Sequence, residues 1–190
     1  MEDKIKQLAQ LILDTKIVPK SLRLFLIGED YWVRIYYGAF SIRVGVREYG
    51  FVRNLNLERG AVLDIFAKLE FFVNELIQLK LLGPSHKKGQ ILDDILQYVD
   101  FFSRVRFLKE WDIIDNHLSN LLYQTKQVRN GFAHSWSEDE IKYKGKLIKN
   151  NFSDFKQDLE EAWRRLVEIY KKEQEKIDID KFIDSILKYR

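Results

Sequence analysis

Arg129 and His134 stand five positions apart in Arg129-Asn130-Gly131-Phe132-Ala133-His134, and a guanidinium beside an imidazole can act on a phosphodiester without a metal. The guanidinium is charged at every accessible pH and holds a phosphate in two-pronged fashion, while the imidazole moves a proton near neutrality. Asn130 adds an amide able to fix backbone or phosphate geometry. The spacing alone is cheap. Its dressing carries more: a polar residue directly after the Arg, a Gly-Phe-Ala filler, and a place at the end of an amphipathic run. The bland alternative has Arg129 tying a helix end to a buried carboxylate while His134 packs in the core.

In an unbroken α-helix, side chains five positions apart point about 140° apart and would not share a ligand. Gly131 is therefore expected to relax or end the helix and swing His134 back. Arg129 falls on the flank of the stripe formed by Leu118, Leu122 and Thr125. Its stem should lie against apolar neighbours with the fork half sheltered.

The elements that must position this pair are read from periodicity. Ile5, Leu8 and Ile12 mark a short helix over 3–15. Tyr31, Val33, Ile35 and Tyr37 alternate with Trp32, Arg34 and Tyr36, and Phe40, Ile42, Val44 and Val46 alternate with Ser41, Arg43 and Gly45. That pattern predicts two antiparallel strands around Gly38-Ala39. A helical stripe of Val62, Ile65, Phe66, Leu69, Val73, Leu76 and Ile77 predicts a helix over about 57–82, stopped by Gly83-Pro84. A basic loop leads to a third helix over about 90–109, with Ile91, Leu92, Ile95, Leu96, Val99 and Phe102 inward. Asp112 is expected to cap a fourth helix, which buries Ile114, Leu118, Leu121, Leu122, Thr125 and Val128 and ends at the Arg129 motif. A small hairpin over 141–148 turns at Gly145; a long helix over about 153–176 and a short one over about 180–188 follow. The expectation is a mainly α fold, a helical bundle with a small N-terminal β hairpin and a second short hairpin after the motif. It forms one domain over 1–190, divided into an N-terminal helix and β element (1–55), a bundle core (57–176) and a C-terminal helix (177–190).

Arg129-Asn130-Gly131-Phe132-Ala133-His134 at the end of a bundle helix resembles the signature of the HEPN superfamily. These are small helical domains, many of them metal-independent RNases of toxin–antitoxin, CRISPR-associated and other defence systems. The resemblance spans about 57–176, with the six-residue motif as its diagnostic part. It implies Arg129 and His134 as the catalytic pair and Asn130 as their polar companion. It also implies a homodimer in which two such pairs meet across a two-fold axis. The products would be 2′,3′-cyclic phosphates, with no cofactor. Some HEPN toxins carry a Tyr two residues after the His, modified by a partner antitoxin. Trp136 stands there in this chain and has no hydroxyl to modify.

Secondary candidates each have a plainer alternative. Glu70 lies about 80° from the centre of its helical stripe. It could pair with Arg129 or His134, or serve as an ordinary structural partner. Lys126, and Lys87 with Lys88 beside His86, could touch RNA phosphates or simply be solvated. His117 reads as packing or surface. Trp32, Arg34 and Tyr36 share one strand face, with Arg43 and Arg47 on one face of the neighbouring strand. This is either a stacking platform for single-stranded nucleic acid or a packed or interface face. Ser137-Glu138-Asp139-Glu140 fits a capping turn and would repel RNA.

The bulk numbers bound these readings. With 190 residues, 46% hydrophobic and 14% aromatic, the chain can bury a sizeable core. Net charge is only +3, so any nucleic-acid surface must come from clustering. The absence of cysteine excludes disulfides, thiolate nucleophiles and Cys-ligated metals. Three scattered His leave little for a metal site. No signal peptide or membrane span is expected, which points to a cytoplasmic protein. Two rivals to the nuclease remain open. One is a catalytically idle domain that binds nucleotide or nucleic acid as a regulator or scaffold; the other is a protein–protein module whose exposed aromatics engage a partner. An antitoxin or effector is a possible partner of the chain.

Overall fold

Two aspartates decide where two of the helices begin. Asp100 accepts a hydrogen bond of 3.1 Å from the Ser103 amide and starts the helix Phe101–Glu110. Asp115 accepts one of 2.8 Å from the Leu118 amide and starts Asn116–His134. Both carboxylates satisfy amides that the first helical turn leaves without partners. The computed structural model describes residues 10, 14, 23–27, 31–36, 39–44, 59–83, 89–135 and 140–178. Within these the order is β1 (Arg23–Ile27), β2 (Tyr31–Tyr36), β3 (Ala39–Val44), α1 (Arg59–Leu82), α2 (Gly89–Tyr98), α3 (Phe101–Glu110), α4 (Asn116–His134), β4 (Lys142–Tyr143), β5 (Lys146–Leu147), a 3-10 turn (Ile148–Asn150) and α5 (Phe152–Glu175). The fold is mainly α with small β elements, as the periodicity predicts.

His86, Lys87, Lys88, Arg47, Trp136, Ser137-Glu138-Asp139 and the helix expected over 180–188 lie outside the described residues. So does the helix over 3–15 except Gln10 and Asp14, which are helical and joined by a 2.7 Å side-chain hydrogen bond.

The chain folds as two compact units, Met1–Val46 with Gln78–Asp94 and Lys171–Arg190, and Arg47–Ile77 with Ile95–Tyr170. In the first, β1, β2 and β3 form an antiparallel sheet in that order. The predicted pair is β2 and β3, with Trp32 opposite Arg43 and Tyr36 opposite Ala39. β1 is an addition. Its sequence, Arg-Leu-Phe-Leu-Ile, is an apolar run without alternation, which periodicity does not assign to strand or helix. Gln174 holds it: its amide oxygen accepts from the Ile27 N–H at 3.0 Å and its NH₂ donates to the Ile27 carbonyl at 3.4 Å. One side chain thus copies the pairing of a neighbouring strand.

The second unit is built around aromatic contacts. The Phe66 ring on α1 meets Phe101 on α3 edge-on at 4.8 Å, and Phe72 meets Trp163 on α5 edge-on at 4.8 Å. Val62, Leu69, Val73, Leu76, Leu118, Leu122, Val128, Leu159 and Leu166 fill the space between, so the stripes read from sequence on α1, α4 and α5 face the core. The helix expected over 90–109 is two helices, because the Asp100 carboxylate caps a new one. Leu96 is buried but Ile91, Ile95 and Phe102 are exposed, contrary to the expected inward face. Nor does Asp112 cap α4. Asp112 has a φ of 53° and closes the end of α3, its amide donating to the Lys109 carbonyl at 3.0 Å.

Gly83, with φ of 73°, ends α1 and donates to the Leu79 carbonyl at 3.0 Å. Lys144 and Gly145, with φ of 48° and 79°, form the two-residue turn between β4 and β5. That is the mirror-image turn whose twist suits a tight hairpin. Tyr143 is buried there and donates to Asp158, which also binds Lys144. Burial and then the Asp158 carboxylate push the Tyr143 phenol up out of its ordinary range. No helix among the described residues is long and apolar enough to cross a membrane.

Candidate functional site

α4 runs without interruption through Arg129, Asn130 and Gly131 to His134, and the Ser135 amide closes it on the Gly131 carbonyl at 2.8 Å. The expected relaxation at Gly131 does not occur. The glycine serves close approach instead: a Cβ there would stand 3.0 Å from both Cγ1 and Cγ2 of Ile141. Hydrogen to methyl is the difference between packing the strand leading into β4 against α4 and clashing with it. Because the helix is unbroken, Arg129 and His134 of one chain leave its axis about 140° apart.

Arg129 is half-buried. Its guanidinium lies 5.8 Å from the centre of the Phe66 ring and donates to the Asn130 amide oxygen at 3.3 Å. Asn130 thus orients the Arg. His134 is exposed in the last turn, away from the core that the bland reading assigned to it. Lys126 sits about one turn before Arg129, its ammonium 4.9 Å from the Phe66 centroid and 5.8 Å from that of Phe101. Both rings are almost wholly covered, at 1% and 2% exposure. Desolvation first, and then the Arg129 charge, hold the Lys126 ammonium below its usual range.

Glu70 pairs with neither Arg129 nor His134. It takes the Arg104 guanidinium, which also donates to the Asn74 side-chain oxygen at 2.7 Å. The Arg104 side chain is 8% exposed and that of Glu70 31%, so the cation is the buried partner. A second role found outside the motif belongs to Arg59, in the first turn of α1. Its guanidinium donates to the Ala133 carbonyl at 2.7 Å and so stands at the C-terminal end of α4, one residue before His134. Cations favour that end of a helix, where carbonyls lack partners.

Arg59, Lys126 and Arg129 have no carboxylate within ion-pair distance among the described residues. Two carboxylates bear on the group: Glu70, and Asp100 through its field at Lys126. Among the described residues, Arg59, Arg104, Lys126 and Arg129 against these two carboxylates give a surplus of positive charge, part of it desolvated, which suits a phosphate. The helical spacing of Arg59, Phe66 and Glu70 was a readable sign that they share one face of α1. Arg104 had no such signal, because the break before α3 reorients it.

His117 is exposed and meets Glu161 at 3.0 Å, with Arg165 bound to Asp115 nearby. It belongs to a surface ion-pair group on another part of α4. Arg34 on β2 is exposed. Among the described residues no group of His, Cys, Asp and Glu is placed to hold a metal ion. Comparisons with family models, with curated proteins and with solved structures give no match to this chain.

Proposed function

We propose that this chain is a metal-independent endoribonuclease of the HEPN type, a cytoplasmic toxin or defence effector, whose site forms between two copies of the chain. The observation that carries the reading is that Arg129 stands among cations in excess, with an exposed His134 in the final turn of the same helix. The excess charge suits the scissile phosphate, and the imidazole is open to solvent. The 140° divergence on one helix starts the two groups of a single chain toward different faces. In the dimer, Arg129 of one copy and His134 of the other serve one phosphate.

One imidazole takes the proton of a ribose 2′-hydroxyl as its oxygen attacks phosphorus. The bond from phosphorus to the 5′-oxygen breaks, and the same imidazole, now protonated, returns the proton to that oxygen. Arg129 holds the charge that grows on the non-bridging oxygens, with Asn130 keeping its fork in place. The products end in a 2′,3′-cyclic phosphate and a 5′-hydroxyl.

Purified protein incubated with RNA in EDTA should cleave it, leave DNA intact, and lose at least about 100-fold in rate on His134→Ala or Arg129→Ala, the scale of a lost general acid–base or charge-stabilising group. Cleavage that needs magnesium overturns the reading. A second reading, an RNA-binding domain without catalysis, is favoured by the continuity of α4. It predicts tight binding with no cleavage by any form. An antitoxin or effector partner belongs to either reading and would restrain the site by covering it.

A further inference from the structure

Arg59, Phe66 and Glu70 fall within about 40° of one another around α1. On α4 the residues that meet them run the other way: Ala133 against Arg59, Arg129 and Lys126 against Phe66, and Lys126 within the field of Glu70. The two helices therefore bound an antiparallel groove whose rim carries Arg59, Arg129 and Lys126 in sequence. Arg104 stands at its far end beside Glu70 and Asn74.

We infer that this groove is a binding track for the backbone of single-stranded RNA, leading away from His134 along α1 toward Arg104. The choice of RNA over DNA rests on the ribonuclease reading; the track itself does not.

From Arg59 to Glu70 the rise along α1 is about 16 Å, the span of about five stacked nucleotides at 3.4 Å each. One row of cations along one helix pair follows one phosphate backbone. A duplex instead asks for contacts over two minor grooves and about 16 base pairs. The rings beneath the cations are closed to bases, since Lys126 and Arg129 cover Phe66 and the burial of Phe101 is nearly complete. Affinity therefore comes from phosphate contacts, depends strongly on salt, and depends little on base identity. The Asp100 and Glu70 carboxylates at the far end mark where the favourable potential falls away.

The test uses the full chain carrying His134→Ala, in EDTA, with a fluorescein-labelled 12-nucleotide oligouridylate followed by anisotropy at several salt concentrations. Arg59→Ala and Lys126→Met should each weaken binding about 5–10-fold and lower the salt slope by about 0.7. Lys68→Ala, on the opposite face of α1 and paired with Asp64 at 3.0 Å, should bind as the parent does. An oligoadenylate should bind within about threefold of oligouridylate. Unchanged affinity and slope in both groove variants overturn the track, as does tighter binding of duplex than of single strand. These results separate from the nuclease reading. Cleavage that depends on His134 with unaffected groove variants leaves the nuclease and removes the track. Groove-dependent binding without cleavage does the reverse.

Discussion

Gly131 on α4 and Ile141 before β4 approach so closely that a Cβ on the glycine would stand 3.0 Å from two carbons of the isoleucine. This contact packs the residue before β4 against the helix that carries the motif. Gly131→Ala adds helix propensity of about 1 kcal/mol but overpacks the contact at a cost of about 1–3 kcal/mol. The net expectation is a loss of about 1 kcal/mol in urea unfolding. In an Ile141→Ala background, which removes both Cγ atoms that the new methyl would meet, the same substitution should cost less, giving a coupling of about 0.5–1 kcal/mol. Equal effects in both backgrounds would mean that the close approach has no energetic weight.

Glu70→Gln separates stability from binding. The Arg104 guanidinium, buried and with its Nε unpartnered, loses its charge-assisted bond, and stability should fall by about 1–3 kcal/mol. The same change removes the Glu70 charge, which acts on Lys126. RNA affinity should rise by about threefold at low salt, with the gain fading as ionic strength increases. Anisotropy and urea titration on one preparation would record both. A fall in both quantities contradicts this placement of Glu70.

The caps give a pH signature. Bonds from the Leu118 amide, and then from Arg165, hold the Asp115 carboxyl below its ordinary 3.8. A carboxyl lowered in the folded state contributes stability that is complete above its unfolded value. That contribution is lost as the pH falls through the folded value. Asp115→Ala should therefore cost about 1 kcal/mol at neutral pH, and wild type and variant should converge as the pH drops well below 3.8. A gap that persists in acid would mean that the charged carboxylate is not the capping group.

What the sequence makes legible follows from how local each signal is. Lys144-Gly145 between Tyr143 and Leu147 announces its own turn, and Gly83 ends α1 through its own positive φ. The stripes of α1, α4 and α5 are long enough for a 3.6-residue period to stand out. The break at Asp100 is harder. Its apolar residues continue the helical pattern across it, and only the Asp100–Ser103 pairing signals a new start. Gly131 is the instructive failure. Conformational freedom and close approach both ask for glycine, and Ile141, which decides between them, comes ten positions later. The Arg104–Glu70 pair joins residues 34 apart, and nothing local in either residue names the other. Arg129 and His134 are legible as residue types, whereas their divergence depends on the helix being continuous.

That divergence makes subunit mixing the most direct test of a site shared between two copies. Arg129→Ala and His134→Ala proteins, each inactive alone, should regain RNA cleavage in EDTA when unfolded together and refolded as a mixture. The recovered rate should approach about a quarter of wild type, since half of the dimers are mixed and each holds one complete Arg–His pair. A mixture that exchanges subunits yet stays inactive, while wild type cleaves, would contradict the shared site.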